Sequence, residues 1–140
     1  AEYIYKKFGC NCFADDTGLE VVALDGAPGV YSARYAGDPT NSGKNIDKLL
    51  LALKNQANRK ARFRTVIALI LNGERHIFEG VITGTIAEDR LGFFGFGYDS
   101  VFVPDGYDKT FAQMSEDEKN KISHRGQAVA KLVDFLRNNI

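Results

Sequence analysis

Phe13-Ala14-Asp15-Asp16-Thr17-Gly18-Leu19-Glu20 sets two adjacent carboxylates between an apolar pair and a Thr-Gly step. Neighbouring acids repel, and burying either is costly unless a cation or hydrogen-bond donors compensate. Asp, Thr and Gly are also turn residues, so a plain turn is the competing reading of this stretch. Further along, Leu91-Gly92-Phe93-Phe94-Gly95-Phe96-Gly97-Tyr98-Asp99 combines glycines, which let backbone approach a ligand, with aromatic faces that stack on flat rings. A glycine-rich bend whose Phe side chains fill a core is the blander account. Ser123-His124-Arg125-Gly126 supplies cationic character just ahead of an expected helix, where free N–H groups and the dipole suit an anion. The alternative there is a solvated loop. Taken together, these stretches offer what phosphoanhydride hydrolysis needs: carboxylate for a divalent metal, cationic donors for phosphates and a slot for a base.

The elements that must position them are legible in outline. Residues 11–15 and Leu19 to Leu24 read as two short strands flanking the acidic pair. The Gly- and Pro-containing stretch from Asp25 to Gly37 is a loop carrying Tyr31, Arg34 and Tyr35, either a ligand wall or surface packing. Lys44 to Ala57 is an amphipathic helix with Ile46, Leu49, Leu50 and Leu53 on one stripe. Arg62 to Leu71 is strongly β-forming, and Asn72-Gly73 is a hairpin signal. Arg75 to Glu79 and Val81 to Ile86 follow as strands with a bend at Gly80, and His76 within them reads as a satisfied strand residue. Ser100 to Pro104 is another strand. Ser115-Glu116-Asp117-Glu118 is a capping box opening a short helix. A last helix from about Gln127 to Asn138 presents Val129, Leu132, Val133 and Leu136.

The 140 residues suit one domain, and a hydrophobic share of 44% is enough for a sizeable core. Lys+Arg and Asp+Glu are both 18, so bulk attraction to nucleic acid or an anionic membrane is not expected. A local basic pocket remains compatible with that balance. Cys10 and Cys12 are too close for an easy disulfide, and with two His they make no zinc cluster. Reduced thiols in a cytoplasmic protein are the expectation. No apolar run approaches transmembrane length. Tyr3, Ile4 and Phe8, with Gly9 as a stop, read as the last turns of a helix, so the chain is expected to be cut upstream.

Four segments carry a resemblance: Phe13 to Leu19, Gly26-Ala-Pro-Gly-Val-Tyr-Ser-Ala-Arg-Tyr-Ala-Gly37, Gly95-Phe-Gly-Tyr-Asp99 and Ser123 to Gly126. In this order they closely resemble the inosine triphosphate pyrophosphatase, or Ham1-like, family of non-canonical purine NTP pyrophosphatases. The resemblance implies an α/β fold, with an elongated mixed β-sheet and flanking helices forming two lobes around a nucleotide cleft. Residues 1–140 would be a single such domain lacking its first strand and phosphate loop. It implies hydrolysis of ITP, dITP and XTP to the monophosphate and pyrophosphate, by a cytoplasmic homodimer that uses Mg²⁺ and neither nucleic acid nor membrane. Asp16 matches the family's catalytic acid and metal ligand, with Asp15 supporting the metal. Thr17, Phe96, Gly97, Tyr98, Asp99, Lys119, His124 and Arg125 match its substrate contacts. Without the family's front segment, activity of these residues alone is expected to be weak or absent. A purine-nucleotide-binding domain without catalysis is the alternative. An aspartyl-nucleophile phosphatase ranks last, because it wants its acids two apart.

Overall fold

The computed structural model describes residues 12–37, 39–93, 95 and 97–139. The expected opening helix around Tyr3, Ile4 and Phe8, together with Cys10 and Phe96, lies outside the described residues.

A five-stranded sheet in the order β2-β1-β3-β4-β5 organises the chain, with helices packed against it. β1 (Cys12–Val21) runs antiparallel to β3 (Lys60–Leu71), from Cys12 opposite Ile70 to Val21 opposite Ala61. β3 pairs antiparallel with β4 (Glu74–Ile86), and the Asn72-Gly73 turn between them has φ of 53° and 83°. Both turn residues sit in the left-handed region that the Asn-Gly step tolerates. The short β2 (Pro28–Gly29) and β5 (Phe102–Pro104) close the two edges. Among the described strands every pairing is antiparallel.

Three sequence expectations about this sheet need correction. The acidic pair is neither a turn nor the gap between two strands: β1 runs unbroken through Asp15 and Asp16, and Val22–Leu24 is a 3-10 turn. Pairing with the long β3 outweighs the local turn preference of Asp, Thr and Gly. Gly18 is needed there for space rather than for a turn, because a Cβ would lie 2.6 Å from the Gly29 carbonyl oxygen. β4 likewise does not bend into two strands at Gly80; a Cβ at that position would meet the His124 carbonyl oxygen of the overlying helix.

α1 (Ser42–Ala52) is capped by Asn41, whose side chain accepts from the Lys44 amide, and it ends before the expected Ala57. Its Ile46 and Leu49 join Leu19, Val21, Phe63 and Phe102 in the main apolar core. α2 (Glu116–Ile122) starts at Ser115, which accepts from the Glu118 amide, while the Glu118 carboxylate engages Lys109 at 2.7 Å. The complete capping box belongs to Thr110 and Gln113, one turn earlier.

α3 (His124–Asn139) begins three residues before the expected Gln127. His124 and Arg125 are therefore its first residues, not a loop ahead of it. Its buried stripe is Ala128 and Leu132, with Phe135 and Leu136 beside them, packed on Ile67 and Leu69 of β3. Val129 and Val133, expected on that stripe, are exposed. No helix among the described residues is long and apolar enough to cross a membrane.

Candidate functional site

Strand alternation decides what each acid faces. Asp15, Thr17 and Leu19 share one face of β1, and Leu19 on that face is fully buried. Asp16 shares the other face with Glu20, whose carboxylate pairs with Arg62. Opposite Thr17 in the ladder stands Thr65, and their hydroxyls are 2.8 Å apart. The start of α3 lies over this face. Arg125 reaches back with Nη1 3.2 Å from the Asp15 carboxylate and Nη2 donating to the Thr17 hydroxyl at 3.2 Å. About half of each ionic partner is solvent-exposed, so the Asp15–Arg125 pair contributes at most about 1 kcal/mol to stability. Its effect is directional: one guanidinium is tethered to two successive positions on this face of β1.

His124 stands beside it with a different character. It is 6% exposed, and its ring stacks on Phe63 at 4.6 Å with 15° between the planes. Burial, then the neighbouring Arg125 and Lys119 charges, push its pKa down to about 4. The imidazole is thus neutral near pH 7. Its Nδ1 is buried and has no hydrogen-bond partner.

From the glycine-rich segment, Asp99 is buried and paired with the Lys119 ammonium of α2 at 2.6 Å. The pair needs Gly95 at φ 82°, because a Cβ there would lie 2.2 Å from the Asp99 carboxylate. Tyr98 is also buried, and desolvation raises its pKa. Its hydroxyl donates to the Ser32 carbonyl at 2.7 Å.

These groups surround one cavity of about 500 Å³. Asp15, Asp16, Thr17, Gly97, Tyr98 and Asp99 line it, as do Lys119, His124 and Arg125. Residues more than a hundred positions apart along the chain meet there, as Thr17 and Arg125 do across 108. Asp16 also lines a smaller groove of about 60 Å³ with Glu20, Arg64 and Val66. The expected site residue Phe96 lies outside the described residues. Sequence reasoning missed Ser32, Ala33, Asn45, Phe63 and Phe111, which also line the cavity. Phe63 and Phe111 read as ordinary core residues, and their rings stack on each other at 5.9 Å. For Ser32 and Ala33 the signal was their place in the loop from Asp25 to Gly37. Tyr31 of that loop is exposed, and Tyr35 packs under Lys48, whose Nζ lies 4.3 Å from the ring centroid.

A cavity of this size with aromatic walls and a few convergent charged groups defines a small-molecule site of nucleotide dimensions on an α/β domain. The Ham1 family model matches residues 1–135, and the chain belongs to that family. It is 61% identical over 137 residues to a dITP/XTP pyrophosphatase of Porphyromonas gingivalis, covering 97% of this chain and 71% of that one. A dITP/XTP pyrophosphatase of Flavobacterium psychrophilum is 53% identical over 138 residues, with 99% and 73% covered. The structure of the Staphylococcus aureus Ham1 protein superposes with a TM-score of 0.96 at 44% identity, over 99% of this chain and 73% of that one.

Proposed function

We propose that this protein hydrolyses the 6-oxo purine triphosphates ITP, dITP and XTP to the monophosphate and pyrophosphate, cleansing the nucleotide pool. The observation that carries the reading is the convergence of Asp16, the Tyr98-Asp99 end of the aromatic segment and Arg125 on one cavity. In the proposed reaction a water attacks the α-phosphorus, and the bond from that phosphorus to the bridging oxygen of the β-phosphate breaks. Asp16 accepts the proton of that water. Arg125, held in place by Asp15 and Thr17, and Lys119, held by Asp99, supply the cationic donors. A donor aimed at O6 would be left unpaired by the 6-amino group of adenine, at a cost of about 1–3 kcal/mol.

The residues fit a hard divalent cation such as Mg²⁺, which takes one or two carboxylates and completes its shell with phosphate oxygens and water. Asp16 would hold it, with Asp15 supporting its water shell. The opposite faces of the two acids and the Asp15–Arg125 pair leave Asp16 as the less committed ligand. Among the described residues no group of three or more His, Cys, Asp or Glu could hold a metal, so the protein side of the site is sparse. When bound, Mg²⁺ would neutralise phosphate charge. A homodimeric, cytoplasmic protein completes this reading, on the strength of the family resemblance.

Asp16→Asn tests it with ITP and XTP as substrates. Loss of about 10²–10⁴ in kcat with nucleotide binding retained is expected of a general base. Undiminished turnover would remove Asp16 from that role, and a parent protein that binds IMP without any turnover would favour the non-catalytic binding domain.

A further inference from the structure

The 3-10 turn Ser32–Arg34 is a short piece of backbone held by several buried and part-buried side-chain hydrogen bonds. The Ser32 carbonyl accepts from the Tyr98 hydroxyl at 2.7 Å. The next carbonyl, of Ala33, accepts from Asn45 Nδ2 at 2.9 Å, and the Asn45 Oδ1 accepts from the Ala36 amide at 2.8 Å. The Ser32 hydroxyl accepts from the Leu19 amide at 2.8 Å and donates to the Gly29 carbonyl at 2.7 Å. The holding groups come from three places: β1, α1 and the end of the glycine-rich segment.

Packing alone does not call for this. Asn45 is 3% exposed and Tyr98 5%, depths at which apolar side chains would fill space without the desolvation cost of amide and hydroxyl groups. Polar groups at such depth carry direction, and a fully satisfied network fixes one orientation of its backbone. Here the backbone so fixed is itself cavity wall, because Ser32 and Ala33 line the cavity together with Asn45 and Tyr98.

We propose that Tyr98 and Asn45 are positioning residues that pin the Ser32–Arg34 turn as one wall of the nucleotide site. Tyr98 thereby acts through the turn as well as through its own ring. The inference rests on the cavity being the nucleotide site. Tyr98 is donor to one carbonyl and Asn45 to its neighbour, so the two act on the same turn from different elements. Loss of either frees the turn, and loss of both adds less than the sum of the two.

The test pairs Tyr98→Phe, which keeps the ring and removes only the hydroxyl, with Asn45→Asp, which keeps the acceptor for Ala36 and removes the donor to Ala33. Tyr31→Phe, at an exposed tyrosine, is the control. Amide exchange over residues 32–37 is expected to accelerate roughly tenfold in each variant, with the exchange of β3 and β4 unchanged. The KM for ITP is expected to rise roughly tenfold while kcat changes less than twofold, and the double variant to fall short of the product of the two effects. Unchanged exchange at 32–37, acceleration spread over the whole chain, or faster turn exchange with unaltered KM would each overturn the proposal. A parent protein with no turnover of ITP or XTP would sink the assigned activity instead; exchange and the affinity for IMP then decide the turn's role.

Discussion

Packing, more than sequence identity, sets what His124 is. A histidine with a free imidazole takes up a proton near pH 6.5, whereas this one, stacked on Phe63 and beside Arg125 and Lys119, does so near 4. The unfolded chain therefore binds this proton more readily than the folded one at any pH between those values. Stability is greatest above pH 6.5 and falls as pH drops from 6.5 to 4, by about 3 kcal/mol in all. His124→Phe keeps a flat ring on Phe63 and removes the titration. In urea unfolding at pH 4, 5, 6 and 7, the difference in stability between parent and variant is expected to shift in favour of the variant as pH falls. A difference that stays constant across the series would show that His124 protonates as readily in the fold as out of it. At the same scale, Asp15 and Asp16 differ only in strand phase. One is tied to Arg125, and the other, on the opposite face of the strand, lines both the cavity and the smaller groove.

Elements bring these residues together by close approach, and Gly80 is where that is tightest. A Cβ there would sit 1.9 Å from the His124 carbonyl oxygen and 2.8 Å from the Ala128 amide nitrogen. Both atoms are backbone, so no rotamer change relieves the clash; the start of α3 must lift from β4. Gly80→Ala is expected to cost about 1–3 kcal/mol of stability. The same lift moves Arg125 from Asp15 and Thr17, so the KM for ITP should rise at temperatures where the variant is still folded. An unshifted melting temperature with normal KM would mean that α3 has slack. The sequence offered Gly80 only as a bend, since its partner is a helix more than forty residues further on. The β3–β4 hairpin was legible because its signal, alternating β-formers around Asn72-Gly73, is local. A turn competed as a reading of the acidic pair because the strand that pairs with it begins only at Lys60. Four short segments sufficed to suggest the site, yet the Ser32–Tyr98 and Ala33–Asn45 bonds left no trace in composition or period.

Across the molecule, the cavity lies where the main core meets the α3 cluster. Phe63 and Phe111 belong to the first, while His124 and Arg125 open the helix that forms the second. A ligand seated there touches β1, α2, α3 and the Ser32–Arg34 turn at once, and the unfolded chain has no such site. Binding therefore adds to folding stability as RT ln(1 + [L]/Kd), about 2.7 kcal/mol at one hundred times Kd. IMP carries the 6-oxo group with a proton on N1, and AMP the 6-amino group with N1 unprotonated, on the same ribose phosphate. IMP is expected to raise the unfolding midpoint by several degrees, and AMP at the same concentration by far less. With Lys+Arg and Asp+Glu both at 18, net charge supplies no general attraction for either nucleotide, so the comparison reads local contacts. Equal shifts for the two nucleotides would place discrimination in the chemical step rather than in base binding, and would remove the O6 contact as the basis of selectivity. An IMP shift that disappears in Arg125→Ala while the AMP shift stays put would assign that contact to the guanidinium held by Asp15 and Thr17.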